Sequence, residues 1–240
     1  GALVTHIHLD HAGAAGWLAG QGVPIHVHPV GAPHLVDPSR LLASATRIYG
    51  DRMDALWGPM LPVPAERVRA VDDGAVVTVA GLAFRAIATP GHAKHHHAWQ
   101  VGHAVFAGDA AGVRLPGSRL VAVPAVPPEF DPAAWRTTIA RLHETTAAVA
   151  RSAPSPTGDD ASPTLYLTHF GAVTEPAAHL ERLARELDAV VAVFTDLAAA
   201  GLDRDTIRDR YVDWSRARAL AEGVDAAELA RFEAANPFEV

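Results

Sequence analysis

Residues 5–11 read Thr5-His6-Ile7-His8-Leu9-Asp10-His11, which puts three imidazoles and one carboxylate within six consecutive positions. Fourteen histidines scattered over 240 residues would almost never cluster so tightly by chance. Neutral imidazole and carboxylate are the usual ligands of zinc and related divalent ions. Ala2-Leu3-Val4 reads as a buried strand, so His6 and His8, two apart, leave its end on one face. Asp10 and His11 then fall in the following turn, and Gly13 lets the chain bend toward a helix. The histidine pair is thereby directed at one metal and the turn at a second.

Three later segments supply the partners that such a site needs. Thr89-Pro90-Gly91-His92 follows the alternating apolar stretch Leu82–Ile87 and sets a histidine at a strand-to-loop junction. Val105-Phe106-Ala107-Gly108-Asp109 is a short apolar run that delivers a carboxylate at its end, and Leu165-Tyr166-Leu167-Thr168-His169 ends in a histidine. Any one of these alone is weak, because a single histidine at a strand end is more often hydrogen-bonded or at the surface. Four apolar runs that each end in a ligand type are hard to explain by packing.

The set His-x-His-x-Asp-His, then Gly-His, Gly-Asp and a final His resembles the metallo-β-lactamase-fold hydrolases, and within them the glyoxalase II and lactonase-like branch. The resemblance spans about residues 2–173 and implies an α/β fold, the αββα four-layer sandwich. It implies that His6, His8 and His92 bind one metal, that Asp10, His11 and His169 bind a second, and that Asp109 bridges them. His96, four residues after His92, would support the ligands from behind. Members of this family usually carry several strands before the first histidine motif. The chain opens at that motif without an initiator Met, so it reads as N-terminally incomplete, lacking the first strands.

Elsewhere the pattern is conventional. Val23–His28 reads as a strand whose His26 and His28 imitate the metal motif without a following Asp-His, and they are expected to be structural or surface residues. Residues 29–62 hold a helical pattern around Leu41, Leu42, Ala45, Ile48 and Tyr49. Strands are expected over Val68–Val71, Val76–Val79 and Leu82–Ala88, with a hairpin of Ala98–Val101 and Ala104–Phe106. His95 and His97 are expected at the solvent or a strand edge. Residues 112–130 are too rich in proline for a helix and could wall the substrate pocket or merely cross the surface. Asp131 caps a helix that begins at Pro132, and residues 152–163 read as a flexible loop. Leu180, Leu183, Leu187, Val190, Phe194 and Leu197 mark an amphipathic helix, with two more after Gly201. Two parts are therefore expected, a catalytic domain over 1–173 and a helical extension over 174–240, which could pack on the sandwich, cover the site or form a homodimer contact.

Composition excludes several classes. The absence of cysteine removes disulfides, thiolate metal sites and a cysteine nucleophile. Residues 174–240 hold 14 acids against 8 Arg, −6 of the formal −7, so the remainder is near neutral with no basic stripe. Nucleic acid is thus not an expected partner. No run reaches the ~18 apolar residues of a membrane span and no signal peptide is visible, so a cytoplasmic protein with a small-molecule substrate is expected.

The resemblance implies two divalent ions, zinc first, with iron or manganese as substitutes. A hydroxide held between them would attack a carbonyl, and Asp10 would orient this nucleophile as well as bind metal. One lysine, Lys94, among 20 basic residues disfavours the carboxylates of glutathione, and a Pro-lined pocket suits a neutral ester, lactone or thioester. Two other classes compete: an iron-dependent redox enzyme of the persulfide dioxygenase kind, which the full two-metal set disfavours, and a non-catalytic binding module, which would be expected to have lost ligands.

Overall fold

The chain passes from one sheet to the other at Thr5, and most of the architecture follows from that crossing. In the computed structural model, which describes residues 1–126, 128–151 and 162–235, strand β1 (Ala2–Leu3) pairs in parallel with β2 (Ile25–Val27), and β2 with β3 (Val68–Ala70). A second, six-stranded sheet runs in sequence order through β4 (Val76–Val79), β5 (Leu82–Ala88), β6 (His97–Val101), β7 (Ala104–Gly108), β8 (Thr164–Leu167) and β9 (Gly171–Val173). Its neighbours are antiparallel except β7 and β8, whose connection passes through helix α6 (Pro132–Arg151). A parallel pair needs such a crossover, whereas the antiparallel pairs close with short turns except β5 and β6, which are joined by residues 89–96.

Helices cover the outer faces. On the three-stranded sheet lie α1 (Leu9–Ala12), α2 (Ala15–Gly20), α3 (Ala32–Val36), α4 (Ser39–Tyr49) and α5 (Met53–Leu56), which share a core with Ile25 and Val27. On the six-stranded sheet lie α6 and α7 (Pro176–Ala199), whose Trp135, Ile139, Leu142, Leu180, Leu183 and Leu187 pack on Ile87, Val105, Ala107, Leu165 and Leu167. A smaller cluster of Val71, Ala86 and Trp99, joined by Leu3, Val77 and Phe84, lies between the sheets. The order is helices, sheet, sheet, helices, the expected four-layer sandwich with helices after it. Alternation explains the division, because Trp99 faces the first sheet while its neighbour Ala98 faces α6 and α7.

The last two helices, α8 (Arg204–Ala221) and α9 (Ala226–Ala235), continue from α7. Asp203 caps α8 by accepting from the Thr206 amide at 3.0 Å, as its position before the helix predicts. Glu186 of α7 is buried and takes two hydrogen bonds from Arg218 of α8, at 2.7 and 2.9 Å. The extension expected over 174–240 thus begins with a helix that belongs to the main core. Among the described residues no helix is long and apolar enough to cross a membrane. The loop expected over 152–163 falls outside the described residues apart from its last two positions.

Candidate metal centre

Strand β1 ends earlier than its sequence suggests. Val4 still donates to the His26 carbonyl at 2.9 Å, but the Thr5 carbonyl accepts from the His97 amide of the other sheet at 2.7 Å. Trp99 fastens the same crossing, its indole N–H donating to the Val4 carbonyl at 3.1 Å. His6 and His8 therefore do not share a strand face. They stand on a connecting segment between the sheets, and His8 precedes the first turn of α1, which carries Asp10 and His11. The turn expected after His8 is this four-residue helix.

The second sheet brings the remaining groups. His92 lies in the loop between β5 and β6, Asp109 directly follows β7, and His169 follows β8. Phe170 then adopts φ +78°, a left-handed conformation that costs a non-glycine residue about 1–2 kcal/mol. Gly108, at φ +56°, is one place where only glycine fits, since a Cβ there would stand 2.5 Å from His96 Nε2. Gly91 is another, at φ +135° against the Trp135 backbone.

All seven residues singled out as ligands converge. His8 Nδ1 lies 3.0 Å from His6 Nε2 and 3.0 Å from His92 Nε2. His11 Nε2 lies 3.1 Å from Asp10 Oδ2 and 3.4 Å from Asp109 Oδ1, and His169 Nε2 lies 3.4 and 3.5 Å from the same two oxygens. Asp109 Oδ2 reaches back to His92 Nε2 at 3.4 Å. Three groups have metal-ligating geometry: His6, His8 and His92; Asp10, His11 and His169; and His6, His11 and Asp109. Asp109 therefore stands between the two outer trios.

A superfamily profile described as the metallo-beta-lactamase superfamily matches residues 1–149. The chain belongs to that superfamily. It is 29% identical over 133 residues to a metallo-beta-lactamase fold-containing protein of Sulfurisphaera tokodaii. That alignment takes in 54% of this chain and spans half the length of the relative. Among solved structures, an archaeal metallo-beta-lactamase superfamily protein from Sulfolobus tokodaii superposes with a TM-score of 0.60 at 24% identity, covering 77% of this chain and 66% of that one. A metallo-beta-lactamase family protein from Thermus thermophilus gives a TM-score of 0.56 at 22% identity, covering 80% of this chain and 62% of that one.

As in the superfamily at large, the donor set fits divalent metal. The His92 Nδ1–H donates to the Pro124 carbonyl at 2.7 Å, so Nε2 turns its lone pair toward the cluster. Burial keeps His6 and His92 below the usual imidazole range and holds His8 down at about 3, so these rings are neutral at neutral pH and each keeps one bare nitrogen that can bind metal. Burial works against ionisation of Asp109 and Asp10, yet the imidazoles of His11 and His169 beside them keep both well below the usual carboxylate range. Those carboxylates in turn lift His11 to about 9, against its burial, and His169 to about 10. His11 Nε2 and Asp109 Oδ1 are buried without an aligned hydrogen-bond partner, as expected of groups built to meet an ion.

His96 lies beside Asp109 and His6. Its Nε2 accepts from the Asp109 amide at 3.2 Å, its Nδ1 lies 2.6 Å from Thr89 Oγ1, and its ring stacks on His6 at 4.8 Å. His26 and His28 stay outside the cluster: His26 Nδ1 meets the Ala2 carbonyl at 3.3 Å, and His28 packs against His97. The expectation for His95 and His97 is corrected, since both are buried. The loop before β6 is enclosed between the sheets, so alternation drives His97 onto Trp99 and His95 toward His8. Two partners escaped sequence reading. The Pro124 carbonyl carries no side-chain signal at all, whereas Glu129 had one, as the sole acid in residues 112–130.

Proposed function

We propose that this chain is a binuclear metal-dependent hydrolase that cleaves an ester, thioester or lactone bond of a small molecule, akin to the glyoxalase II and lactonase-like branch. In this reading His6, His8 and His92 would hold one ion, Asp10, His11 and His169 would hold the other, and Asp109 would serve both. Zinc is the first choice of metal, with iron or manganese as substitutes. The observation that carries the reading is the convergence of seven nitrogen and carboxylate donors from four separate segments into three overlapping groups. Bound divalent ions would lower the pKa of water and polarise a substrate carbonyl.

The protein's own groups divide the remaining work. His6, His92 and Asp109 are buried and exclude water from the inner side of the centre. Asp10 and His169 form its open side, with 32% and 30% of their side chains exposed. Substrate therefore approaches past these two, and the Asp10 carboxylate is placed to accept a proton from an attacking water. Residues 1–173 carry this chemistry and 174–240 extend it, with α7 supporting the sheet that presents Asp109 and His169.

The test is metal analysis of the purified full chain followed by assay on lactone, aryl-ester and thioester panels. About two ions per chain and turnover abolished by a chelator are the expected results. Absence of metal-dependent turnover on all three panels would overturn the proposal, and one iron per chain would favour redox chemistry.

A further inference from the structure

The proline-rich segment after Asp109 touches the metal-binding loops twice. Pro124 receives the His92 proton, as described above. Five residues on, Glu129 Oε2 lies 3.1 Å from His95 Nε2 and accepts from the Lys94 amide at 3.3 Å. His95 is buried, its ring edge-on to His8 at 5.5 Å and nearly parallel to His6 at 6.1 Å. Its other nitrogen, Nδ1, accepts from the Ile7 amide at 3.4 Å. A backbone N–H can only donate, so Nδ1 carries the lone pair and the ring proton sits on Nε2, facing Glu129. The polarity of the whole chain is thereby fixed: Ile7 N–H to His95 Nδ1, and His95 Nε2–H to the Glu129 carboxylate.

Ile7 is the residue between the two histidines of the opening motif, so whatever holds its amide sets the direction of both. We infer that Glu129 is a positioning residue which, acting through His95, fixes the orientation at which His6 and His8 meet a metal ion. This rests on the metal-centre reading given above. The Glu129 carboxyl is held down at about 2, chiefly by the His95 ring, and is ionised at neutral pH. A carboxylate suits the role better than a neutral acceptor, because a charge-assisted hydrogen bond is about twice as strong and holds one tautomer of the ring. Glu129 is also the solvent-facing end of the chain, 29% exposed, so its removal leaves the cores intact.

The experiment compares the full-length wild type with Glu129→Ala, Glu129→Gln, His95→Phe and the double variant Glu129→Ala/His95→Phe. The readouts are zinc dissociation constants by chelator competition and the visible spectrum of the cobalt(II)-loaded protein. Circular dichroism of the metal-free proteins establishes that each variant is folded. Glu129→Ala is expected to weaken zinc binding about tenfold, the low end for loss of a group that orients a ligand, and to shift the cobalt spectrum. Glu129→Gln, which keeps an acceptor, should recover part of both. In the His95→Phe background, removal of Glu129 should have no further effect. An unaltered zinc constant and cobalt spectrum in Glu129→Ala, or equal losses with and without His95, would overturn the inference. A wild type that binds no zinc or cobalt would instead overturn the metal-centre reading.

Discussion

Gly108→Ala should disturb the centre from the backbone side without touching a proposed ligand. Gly108 sits at φ +56°, and a left-handed conformation costs an alanine about 1–2 kcal/mol. The added Cβ would also stand 2.5 Å from His96 Nε2. Relief requires His96 to move, which breaks its hydrogen bond from the Asp109 amide and strands buried polar groups at about 1–3 kcal/mol. The total is about 3 kcal/mol, or roughly 10 °C in the melting midpoint for a chain of this length. Gly117→Ala is the control, since Gly117 has φ +75° with nothing within 4 Å of the added carbon. It should lose only the backbone part, about 1–2 kcal/mol. Thermal melts by circular dichroism give the stability difference, and chelator competition shows whether zinc affinity falls with Gly108→Ala alone. If the two variants melt together and bind zinc equally, the crowding of His96 has no energetic weight and the account of Gly108 fails.

Trp135→Ala removes a fully buried ring and its 2.8 Å bond to the Ala110 carbonyl, and should cost about 3–5 kcal/mol by urea titration, with Trp135→Phe losing about 1–3. His97 is held down at about 4, mainly by burial and then by His28, against 6.5 for a free imidazole. Its folded pKa lies below the unfolded one, so its contribution is complete above pH 6.5 and lost as pH falls toward 4. At 1.36 kcal/mol per unit this is about 3 kcal/mol, and His97→Phe should flatten the stability profile over that window by the same amount. Arg218→Ala leaves the buried Glu186 without its partner and should cost about 2 kcal/mol, less than a fully buried pair because Arg218 is partly exposed. Limited proteolysis should then release α8 and α9 earlier than in the wild type, whereas an unchanged digestion pattern would show that the pair does not hold α8 to α7.

The site was legible because its chemistry is local. His6, His8, Asp10 and His11 declare themselves by spacing, and His92, Asp109 and His169 each terminate an apolar run, a position that a sheet converts into proximity. Elements with a clear period were equally legible, as with the helix through Leu180, Leu183 and Leu187 and the capped start at Asp131, whose Oδ1 accepts from the Ala133 and Ala134 amides at 3.0 Å. What stayed hidden depends on contacts between distant backbones. Nothing near Val4 says that Trp99 will claim its carbonyl, and nothing near Thr5 says that His97 will end β1 there. For the same reason His95 and His97 read as surface residues, since a histidine run carries no periodicity that reports burial. The short helices α3 and α5 were not separable from the helical pattern around Leu41, because four or five residues do not complete an amphipathic repeat.

How the donors are divided between the sheets bears on what the fold must do for a metal. Each trio takes residues from both sides of the seam: His6 and His8 with His92, Asp10 and His11 with His169, and His6 and His11 with Asp109. The Thr5–His97 and Val4–Trp99 hydrogen bonds and the Trp99 cluster hold the two sides together without an ion. An ion bound by either outer trio adds a cross-link at the same seam. Metal affinity and inter-sheet packing are then linked functions, since an ion that binds only the closed seam stabilises it by RT ln(1 + [L]/Kd). The converse follows from the same cycle: a substitution that opens the seam without touching a donor weakens metal binding by the factor by which it lowers the closed population.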